Sequence, residues 1–440
     1  MFKLNKDKNL SIQYIDKYID VYKSSKLPRL LKQERYYNAK NDTIMNRTFK
    51  DASKPNTKIA IPYASYIADN FTSYFVGKPI TINSQNQELL IVMSEILSKN
   101  NFDSHNISIA KDMAIFGLGA ELLYIDEAKQ IRFARLEPTS IIPIYSTNIE
   151  EELLYCIRFY DEEDILSSET TTFIELYSAD AVTTYKRDSA GTTLIATVEH
   201  PFKRVPINIY KNNDTVTGDF EKVIPLIDAL DLAMADTSNG IQFFNDCYML
   251  FKGVDNLEPE EIQAMKENRV IAVSGIDGQQ VDVSFLTKTS NDLEMENFKN
   301  RLVQEIHKQS KMPNIEEVAN KSHVSASAVR MSLLSTEQVV AIKEKEFKRA
   351  LQRKFELIIN VLNMLGASFS VGEITITFNR NVPQAIESLS DAIVKLSGIV
   401  SKETILEQLP IVSDVQLELE RLNKESSINS YEDWDEVDAE

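Results

Sequence analysis

The sequence predicts an α+β fold, in which helices and strands occupy separate stretches of the chain. Helical patterns fill the chain up to residue 116, strand-like runs dominate residues 120–210, and long helices with apolar stripes follow. Because turn residues and not helices divide the strands, the middle of the chain is expected to form an antiparallel meander.

The composition is that of an ordinary globular protein, with 440 residues of which 43% are hydrophobic and 26% charged. The formal net charge of −18 argues against tight binding of free nucleic acid, because such a surface repels phosphate unless a basic patch is present. The two cysteines lie far apart and form no metal-binding spacing, which is typical of a reducing cytoplasm. No signal peptide is expected at the polar N-terminus, and no apolar run reaches the ~18 residues that a membrane span needs.

The N-terminal part is predicted to be helical. Two helices are expected within residues 11–39, followed by an exposed polar loop and by helices at 62–75, 88–97 and 104–116. The sequence Gly117-Leu118-Gly119 marks the change to strands. The predicted strands cover residues 121–125, 131–136, 153–160, 172–177, 182–186, 193–198 and 205–210.

A long amphipathic helix is predicted after the polar turn at residues 212–214. Its apolar residues recur at steps of four and three along one stripe, which Thr237 interrupts. The stripe consists of Val223, Ile227, Leu230, Met234, Ile241, Phe244 and Tyr248. It packs either in the chain's own core or against a second subunit, and the pattern alone leaves both open. Asp228 and Asp231 lie one turn apart, where a solvated helix face is favoured over a cation site.

The C-terminal half contains a small α/β insertion and further long helices. A short helix and two strands, 270–273 and 281–285, are expected in the insertion, around a glycine-containing turn. Helices follow at 291–310 and 328–365, separated by a polar segment with Pro313. A last strand at 373–378 precedes helices at 385–396, 402–408 and 414–425, and the acidic end is expected to be disordered.

The sequence lacks the motifs of enzyme chemistry. It has no G-x-x-x-x-G-K-[ST] phosphate loop, and its histidines have no metal-ligand spacing. We therefore expect no catalytic residues, no cofactor and no metal. The alternatives from other classes are an intracellular enzyme built around the meander and a helical scaffold or adaptor protein, which the mass of the native particle separates from a large assembly.

Several short sequences, taken in order, resemble the portal proteins of tailed double-stranded DNA bacteriophages of the long-tailed, siphovirus type. They lie along nearly the whole chain: Tyr36-Tyr37-Asn38, Tyr74-Phe75-Val76-Gly77-Lys78-Pro79, residues 112–120, His200-Pro201-Phe202, residues 226–231, residues 378–383 and residues 401–404. Each is weak alone, and their common order makes the resemblance specific.

The resemblance implies a portal fold with a mixed α/β wing, a stem of long helices, a small α/β clip and a helical C-terminal crown. The wing would comprise residues 1–215 with the strand near 373–378. The other parts would be the stem helices 216–248 and 291–310, the clip 249–290, the tunnel loop 311–327, the long wing helix 328–372, the crown region 379–425 and the acidic tail 426–440.

The resemblance also implies a function and its residues. The protein would form a ring, usually of twelve subunits, at one capsid vertex of the virion after assembly in the host cytoplasm. The ring would be the channel for DNA packaging and ejection. Subunits would meet through Val223, Ile227, Leu230, Met234, Ile241 and Phe244 of the stem. The tunnel loop would present Lys311, Asn314, Lys321, Ser322 and His323 to the DNA, and the clip would dock partners through Asn256, Glu260, Asp277 and Gln279. The implied partners are double-stranded DNA without sequence specificity, the terminase large subunit, a head-completion adaptor, and the major capsid and scaffolding proteins, with no membrane.

Overall fold

The computed structural model describes residues 2–245 apart from 7, 9, 52–54, 164 and 166–169, then 249–252, 258–260, 263, 282–285, 292–314, 326–380 and, with gaps, 394–424. The chain forms two compact units. The first unit comprises residues 1–38, 63–222 and 307–440, and the second comprises residues 39–62 and 223–306.

Helices and strands coexist in the described residues, so the predicted α+β class is confirmed. The helices are α1 Ile12–Ser25, α2 Leu27–Tyr37, α3 Asp42–Met45, α4 Tyr63–Val76, α5 Gln87–Lys99, α6 Phe102–Phe116, α7 Ile224–Asn245, α8 Asp292–Ser310, α9 Ala326–Met364 and α10 Lys402–Glu407. Helix α5 begins with the Asn86 side chain accepting a hydrogen bond from the Leu89 amide. Helix α6 ends at Gly117, whose φ of 84° only glycine adopts easily.

The strands form two larger sheets and two ribbons. They are β1 Phe2–Leu4, β2 Thr81–Ser84, β3 Leu118–Ile125, β4 Ile131–Leu136, β5 Ile141–Ser146, β6 Leu153–Glu163, β7 Thr170–Tyr177, β8 Ala181–Asp188, β9 Gly191–Glu199, β10 Ile207–Lys211, β11 Met249–Lys252, β12 Asp282–Phe285 and β13 Ile374–Thr377. The sheet orders are β1-β5-β6-β7-β8-β9 and β10-β3-β4, with the ribbons β11-β12 and β13-β2. The run from β5 to β9 is an antiparallel meander, and β1 joins this sheet in parallel, beside β5. The sequence predicted one meander over residues 120–210, but β5 was not among the predicted strands, and β3, β4 and β10 form a separate sheet.

The apolar core of the first unit joins the two larger sheets. Ala120 and Ile207 of the three-stranded sheet pack in one buried cluster with Ile141 and Cys156 of the six-stranded sheet. On helix α9, fully buried apolar residues recur every three or four positions, which turns one face of the helix inward. These residues are Phe347, Leu351, Phe355 and Ile358.

A charged network lies inside this core. The Glu121 carboxylate on β3 receives Lys354 Nζ of α9 at 2.9 Å, His105 Nε2 at 2.7 Å, Asn208 Nδ2 at 3.0 Å and the Tyr210 hydroxyl at 2.6 Å. Burial opposes ionisation of Glu121, but the nearby Lys354 and His105 outweigh it and hold the pKa of the carboxyl well below its usual range. The network therefore joins α6, β3, β10 and α9 through one buried anion.

Some predicted boundaries differ from the structure. Helix α9 begins at Ala326 and not near residue 328, and the strand β12 pairs with β11, which the sequence did not reveal. The polar segment at residues 41–58 was expected to be an exposed loop, but it contains the short helix α3, and Asn41 and Ile44 are fully buried. The predicted strand at 270–273 lies outside the described residues, as does the predicted helix at 385–396 apart from residues 394 and 395, which are helical.

Candidate subunit interface and channel surfaces

A rigid turn ends the first unit immediately before helix α7. Arg29 of α2 forms two hydrogen bonds with the Glu221 carboxylate, both at 2.6 Å, and donates a third to the Val216 carbonyl at 2.8 Å. Asp219 forms a buried salt bridge with Lys343 of α9, and its amide donates to the Ala114 carbonyl at 2.8 Å. The turn is therefore fixed to α2, α6 and α9 within the first unit.

Two glycines make this close packing possible. A Cβ atom on Gly117 would lie 2.4 Å from the Val216 carbonyl oxygen, and one on Gly218 would lie 2.3 Å from the Ile115 carbonyl oxygen. Both contacts are with backbone, which cannot rotate away as a side chain can. Val216 itself has a φ of 54°, an unfavourable value for a β-branched residue, and the hydrogen bonds around the turn hold it there.

In the second unit, residues 39–62 lie along one face of α7. Asp231 is fully buried and accepts hydrogen bonds from Asn41 Nδ2 at 2.5 Å and from the Ile61 amide at 2.8 Å. Further along the helix, Arg47 pairs with Asp236, and the Thr57 amide donates to Asn239 Oδ1 at 2.8 Å. These contacts repeat about once a turn, so the polar face of α7 holds this segment of its own chain.

Asp231 is the most perturbed carboxyl along this helix face. Burial raises the pKa of Asp231 to about 6, although the hydrogen bonds from Asn41 and Ile61 act in the opposite direction. The prediction that Asp231 belongs to a solvated helix face is therefore wrong. Sequence spacing showed that Asp231 lies off the apolar stripe, but gave no sign that residues some 190 positions earlier would cover it.

The predicted interface stripe on α7 divides into two parts. Val223, Ile227 and Leu230 are buried by the chain itself, so the prediction that these three side chains face a neighbouring subunit is corrected. They follow the same helical periodicity because a core stripe and an interface stripe have the same spacing. Met234 is half-buried and Ile241 is 60% exposed, so this later part of the stripe remains open to a partner. The side chain of Phe244 lies outside the described residues.

Helix α8 exposes apolar side chains in its first turns. Leu293 is 74% exposed and Phe298 is 50% exposed, and Met295 lies between them in sequence and is also exposed. Farther along the helix, Leu302 and Ile306 are buried. Only the first half of α8 thus leaves large hydrophobic groups in contact with water, which is unfavourable unless another surface covers them.

The beginning of the predicted tunnel loop is held by specific contacts. Lys311 adopts a left-handed conformation with φ 65°, and its carbonyl accepts a hydrogen bond from Thr336 Oγ1 of α9 at 2.7 Å. His307 Nδ1 lies 3.2 Å from the Met312 carbonyl, and its ring contacts the rings of Tyr63 and Tyr66. Of the predicted DNA-facing residues, Lys311 is exposed and Asn314 is half-buried, while Lys321, Ser322 and His323 lie outside the described residues.

The structure describes only parts of the predicted clip. Strands β11 and β12 pair in antiparallel register, with Met249 opposite Phe285 and Lys252 opposite Asp282. Of the predicted docking residues, Glu260 is exposed, whereas Asn256, Asp277 and Gln279 lie outside the described residues. In the described part of the chain, no group of three or more potential metal ligands occurs, and no helix is long and apolar enough to cross a membrane.

Comparison with known proteins identifies the class of the molecule. The family model for phage portal proteins of the SPP1 Gp6-like type matches residues 16–430. The portal protein of Bacillus phage SPP1 is 26% identical over 432 residues, an alignment that covers 91% of this chain and 84% of that protein. The portal protein of Clostridium phage phiCD119 is 23% identical over 425 residues, covering 89% of this chain and 91% of that protein.

These matches first define a structural, non-enzymatic component of a phage capsid. More specifically, the chain belongs to the SPP1 Gp6-like family of phage portal proteins. The resemblance found in the sequence is thereby confirmed, as is the interpretation that the protein is not an enzyme. Neither alternative, the intracellular enzyme or the scaffold or adaptor protein, is retained.

Proposed function

We propose that the chain forms a ring of twelve copies at one capsid vertex, and that the ring is the channel through which double-stranded DNA enters and leaves the capsid. The observation that supports the ring most directly is the uncovered apolar surface of α8 and of the later part of α7. Leu293, Phe298 and Ile241 are each at least half exposed in the single chain. Isolated exposed hydrophobic residues are common, but several on consecutive long helices indicate a protein contact.

A ring requires two different surfaces on each copy, because every subunit meets one neighbour on each side. The exposed apolar residues around Ile241 on α7 and around Phe298 on α8 would pack against neighbouring copies. The polar face of α7 is not available, since residues 39–62 already occupy it. The proposed stem contact therefore uses Met234, Ile241 and the first half of α8.

The charge of the protein suits a channel for DNA. With a net charge of −18 per chain, the wall of the ring would not hold phosphate tightly, so DNA could pass without being trapped. The segment 311–327 would line the narrowest part, with Lys311, Asn314, Lys321, Ser322 and His323 near the phosphates. Such contacts are brief and weaken with salt, because counterions compete for the same phosphates.

The insertion between α7 and α8 would be the docking site for other virion and packaging proteins. Residues 249–290 contain the β11-β12 ribbon, and Glu260 is exposed within this region. Asn256, Asp277 and Gln279 are the other side chains proposed to contact the terminase large subunit or the head-completion adaptor. The major capsid and scaffolding proteins would surround the ring at the vertex.

The ring is tested with the purified full chain. Mass photometry at micromolar concentration, followed by negative-stain electron microscopy, is expected to show closed rings with the mass of about twelve chains. Phe298→Asp should shift the protein toward monomers, because it places a charge in an apolar contact. Ile91→Asp on α5 is the matched control, since Ile91 is 65% exposed on a surface outside the proposed stem. A monomeric wild-type protein, or equal assembly of the Phe298 variant and the wild type, would contradict the proposed contact.

A further inference from the structure

The segment 39–62 of the second unit exposes more cations than anions. Its described, exposed charged side chains are three lysines and one aspartate: Lys40, Lys50, Lys58 and Asp51. Lys58 is used within the segment, where its Nζ donates to the Met45 carbonyl. Lys40 and Lys50 have no hydrogen bond or ion pair in the part of the chain that the structure describes. On a chain with a net charge of −18, this segment is a place where an incoming carboxylate meets cations.

The same segment leaves two large apolar side chains in contact with water. Met45 is 37% exposed at the end of α3, and Phe49 is 39% exposed four residues later. The Arg47 guanidinium lies 4.5 Å from the centre of the Phe49 ring and also pairs with Asp236 of α7. The segment is therefore fixed to α7, and the surface that it leaves exposed is both apolar and cationic.

The first half of α8 exposes apolar side chains together with the opposite charge. Its exposed apolar residues are separated in sequence by Glu294 and Glu296, which are also exposed. Glu296 pairs with Lys299, but Lys299 is buried and the Glu296 side chain stays 59% exposed. Because residues 293–298 contain no lysine or arginine, the surface that this stretch presents to water is apolar and acidic.

The two surfaces do not cover each other within one chain. Phe298 and Leu293 of α8 remain at least half exposed, and Met45 and Phe49 are exposed as well, although all four residues belong to the second unit. A contact between the two surfaces would bury these side chains. Because the surfaces differ, such a contact joins one copy to the next in a head-to-tail arrangement, which is the kind that closes a ring.

We infer that the first half of α8 in one copy packs on the segment 39–62 of the next copy. The Phe298 ring covers Met45 and Phe49, so that apolar groups of both copies leave water together. The glutamates of α8 face Lys40 and Lys50, and this charge pairing fixes the orientation of the helix on the segment. The inference rests on the proposed ring and names the surface that receives α8.

Charge reversal tests the contact in the full-length protein. The α8 variant Glu294→Lys with Glu296→Lys, and the segment variant Lys40→Glu with Lys50→Glu, should each raise the concentration needed for assembly on the order of tenfold, because each turns attraction into repulsion. When the two variants are mixed, the basic α8 of one meets the acidic segment of the other, and the remaining pair is unchanged. The mixture should therefore assemble at close to the wild-type concentration, as rings in which the two variants alternate.

Matched controls make the same charge changes at exposed positions of the first unit. Glu127→Lys with Glu162→Lys is the control for the α8 variant, and Lys17→Glu with Lys26→Glu is the control for the segment variant. Both controls should assemble as the wild type does, since neither changes the proposed contact.

Covalent linkage gives a readout that does not depend on charge. Thr48 and Asn297 are exposed neighbours of the contact, and their replacement leaves its apolar residues in place. With Cys247 replaced by serine and Cys156 buried, the double variant Thr48→Cys with Asn297→Cys should form a ladder of linked chains with a short bismaleimide. Neither single variant should form the ladder, because the contact joins two different surfaces.

The possible outcomes separate the two proposals. A wild-type protein that remains monomeric would overturn both the ring and this contact. Wild-type rings combined with unchanged assembly of the α8 and segment variants, no recovery on mixing, or no ladder would overturn this contact alone and leave the ring in place. If Phe298→Asp still prevents assembly in that case, α8 packs on another surface of the neighbouring copy.

Discussion

Replacing Lys354 by methionine tests the buried network around Glu121. Lys354 and Glu121 are both fully buried, and their charged atoms lie 2.9 Å apart. With an effective dielectric constant of about 20, their attraction is roughly 6 kcal/mol, and much of it offsets the cost of removing two charges from water. Methionine fills similar volume between Phe102 and Phe133 but removes the lysine charge beside the Glu121 anion, which then keeps only His105, Asn208 and Tyr210 as partners. We expect a loss of about 3–5 kcal/mol in the free energy of opening the first unit.

Hydrogen exchange of the β3 amides measures this loss where it occurs. The exchange should accelerate on the order of several hundredfold, since each 1.4 kcal/mol is about tenfold in an opening constant. Lys345→Met on the same helix is the control, because Lys345 is exposed and its removal should change stability by less than about 0.5 kcal/mol. Adding Glu121→Gln to Lys354→Met should recover part of the loss, since no unpaired charge then remains buried. Equal exchange in the Lys354 and Lys345 variants would refute the argument that the ion pair holds the core together.

Three further predictions concern the second unit, the junction turn and the channel. Folding raises the pKa of Asp231 from 3.8 to about 6. The anchoring of residues 39–62 should therefore be strongest below pH ~4, and its free energy should weaken by up to about 3 kcal/mol as the pH rises through 6. Asp231→Asn should remove this pH dependence, which is measured by hydrogen exchange corrected for intrinsic rates. The contact should remain, because the unpartnered Asn41 Oδ1 can accept a hydrogen bond from the new side-chain amide. Gly218→Ala should cost at least about 2 kcal/mol in urea unfolding, whereas Gly240→Ala, with open space around it, should stabilise α7 by about 0.5–1 kcal/mol. Lys321→Glu should leave rings intact but shorten the DNA packaged per capsid in a reconstituted assay, and normal DNA length would mean that this loop does not meet the DNA.

Local patterns in the sequence were sufficient for much of the fold. The change from helix to strand at residues 117–119 was predicted from two glycines, and the structure gives the reason. Gly117 has a left-handed φ, and a Cβ on Gly119 would lie 2.8 Å from the Ile109 carbonyl oxygen. The meander was predictable because its strands are separated by recognisable turns and pair with their neighbours in sequence. The pairings β1 with β5 and β2 with β13 join distant stretches, and nothing local in either strand specifies its partner.

The candidate site was less predictable, because it depends on what covers each surface. Glu121 looked like one more polar residue in an alternating strand, although its partner Lys354 lies 233 residues later. The two residues are brought together only by the packing of α9 on the three-stranded sheet.

Helix α7 shows how burial limits the surfaces on which a ring can be built. In its first turns, the apolar side is buried at Ile227 and Leu230. The polar side binds residues 39–62 through the hydrogen bonds of Asp231. In the proposed ring, a neighbouring subunit would therefore contact α7 near Ile241, toward the end of the helix. In the proposed ring, the segment 39–62 would also affect assembly, because it covers the polar face of α7 and leaves the face near Ile241 open. Thr57 of this segment pairs with Asn239 and Gln242, which flank Ile241 in sequence, so loosening the segment there would expose polar groups next to the proposed contact and weaken it without changing any apolar residue.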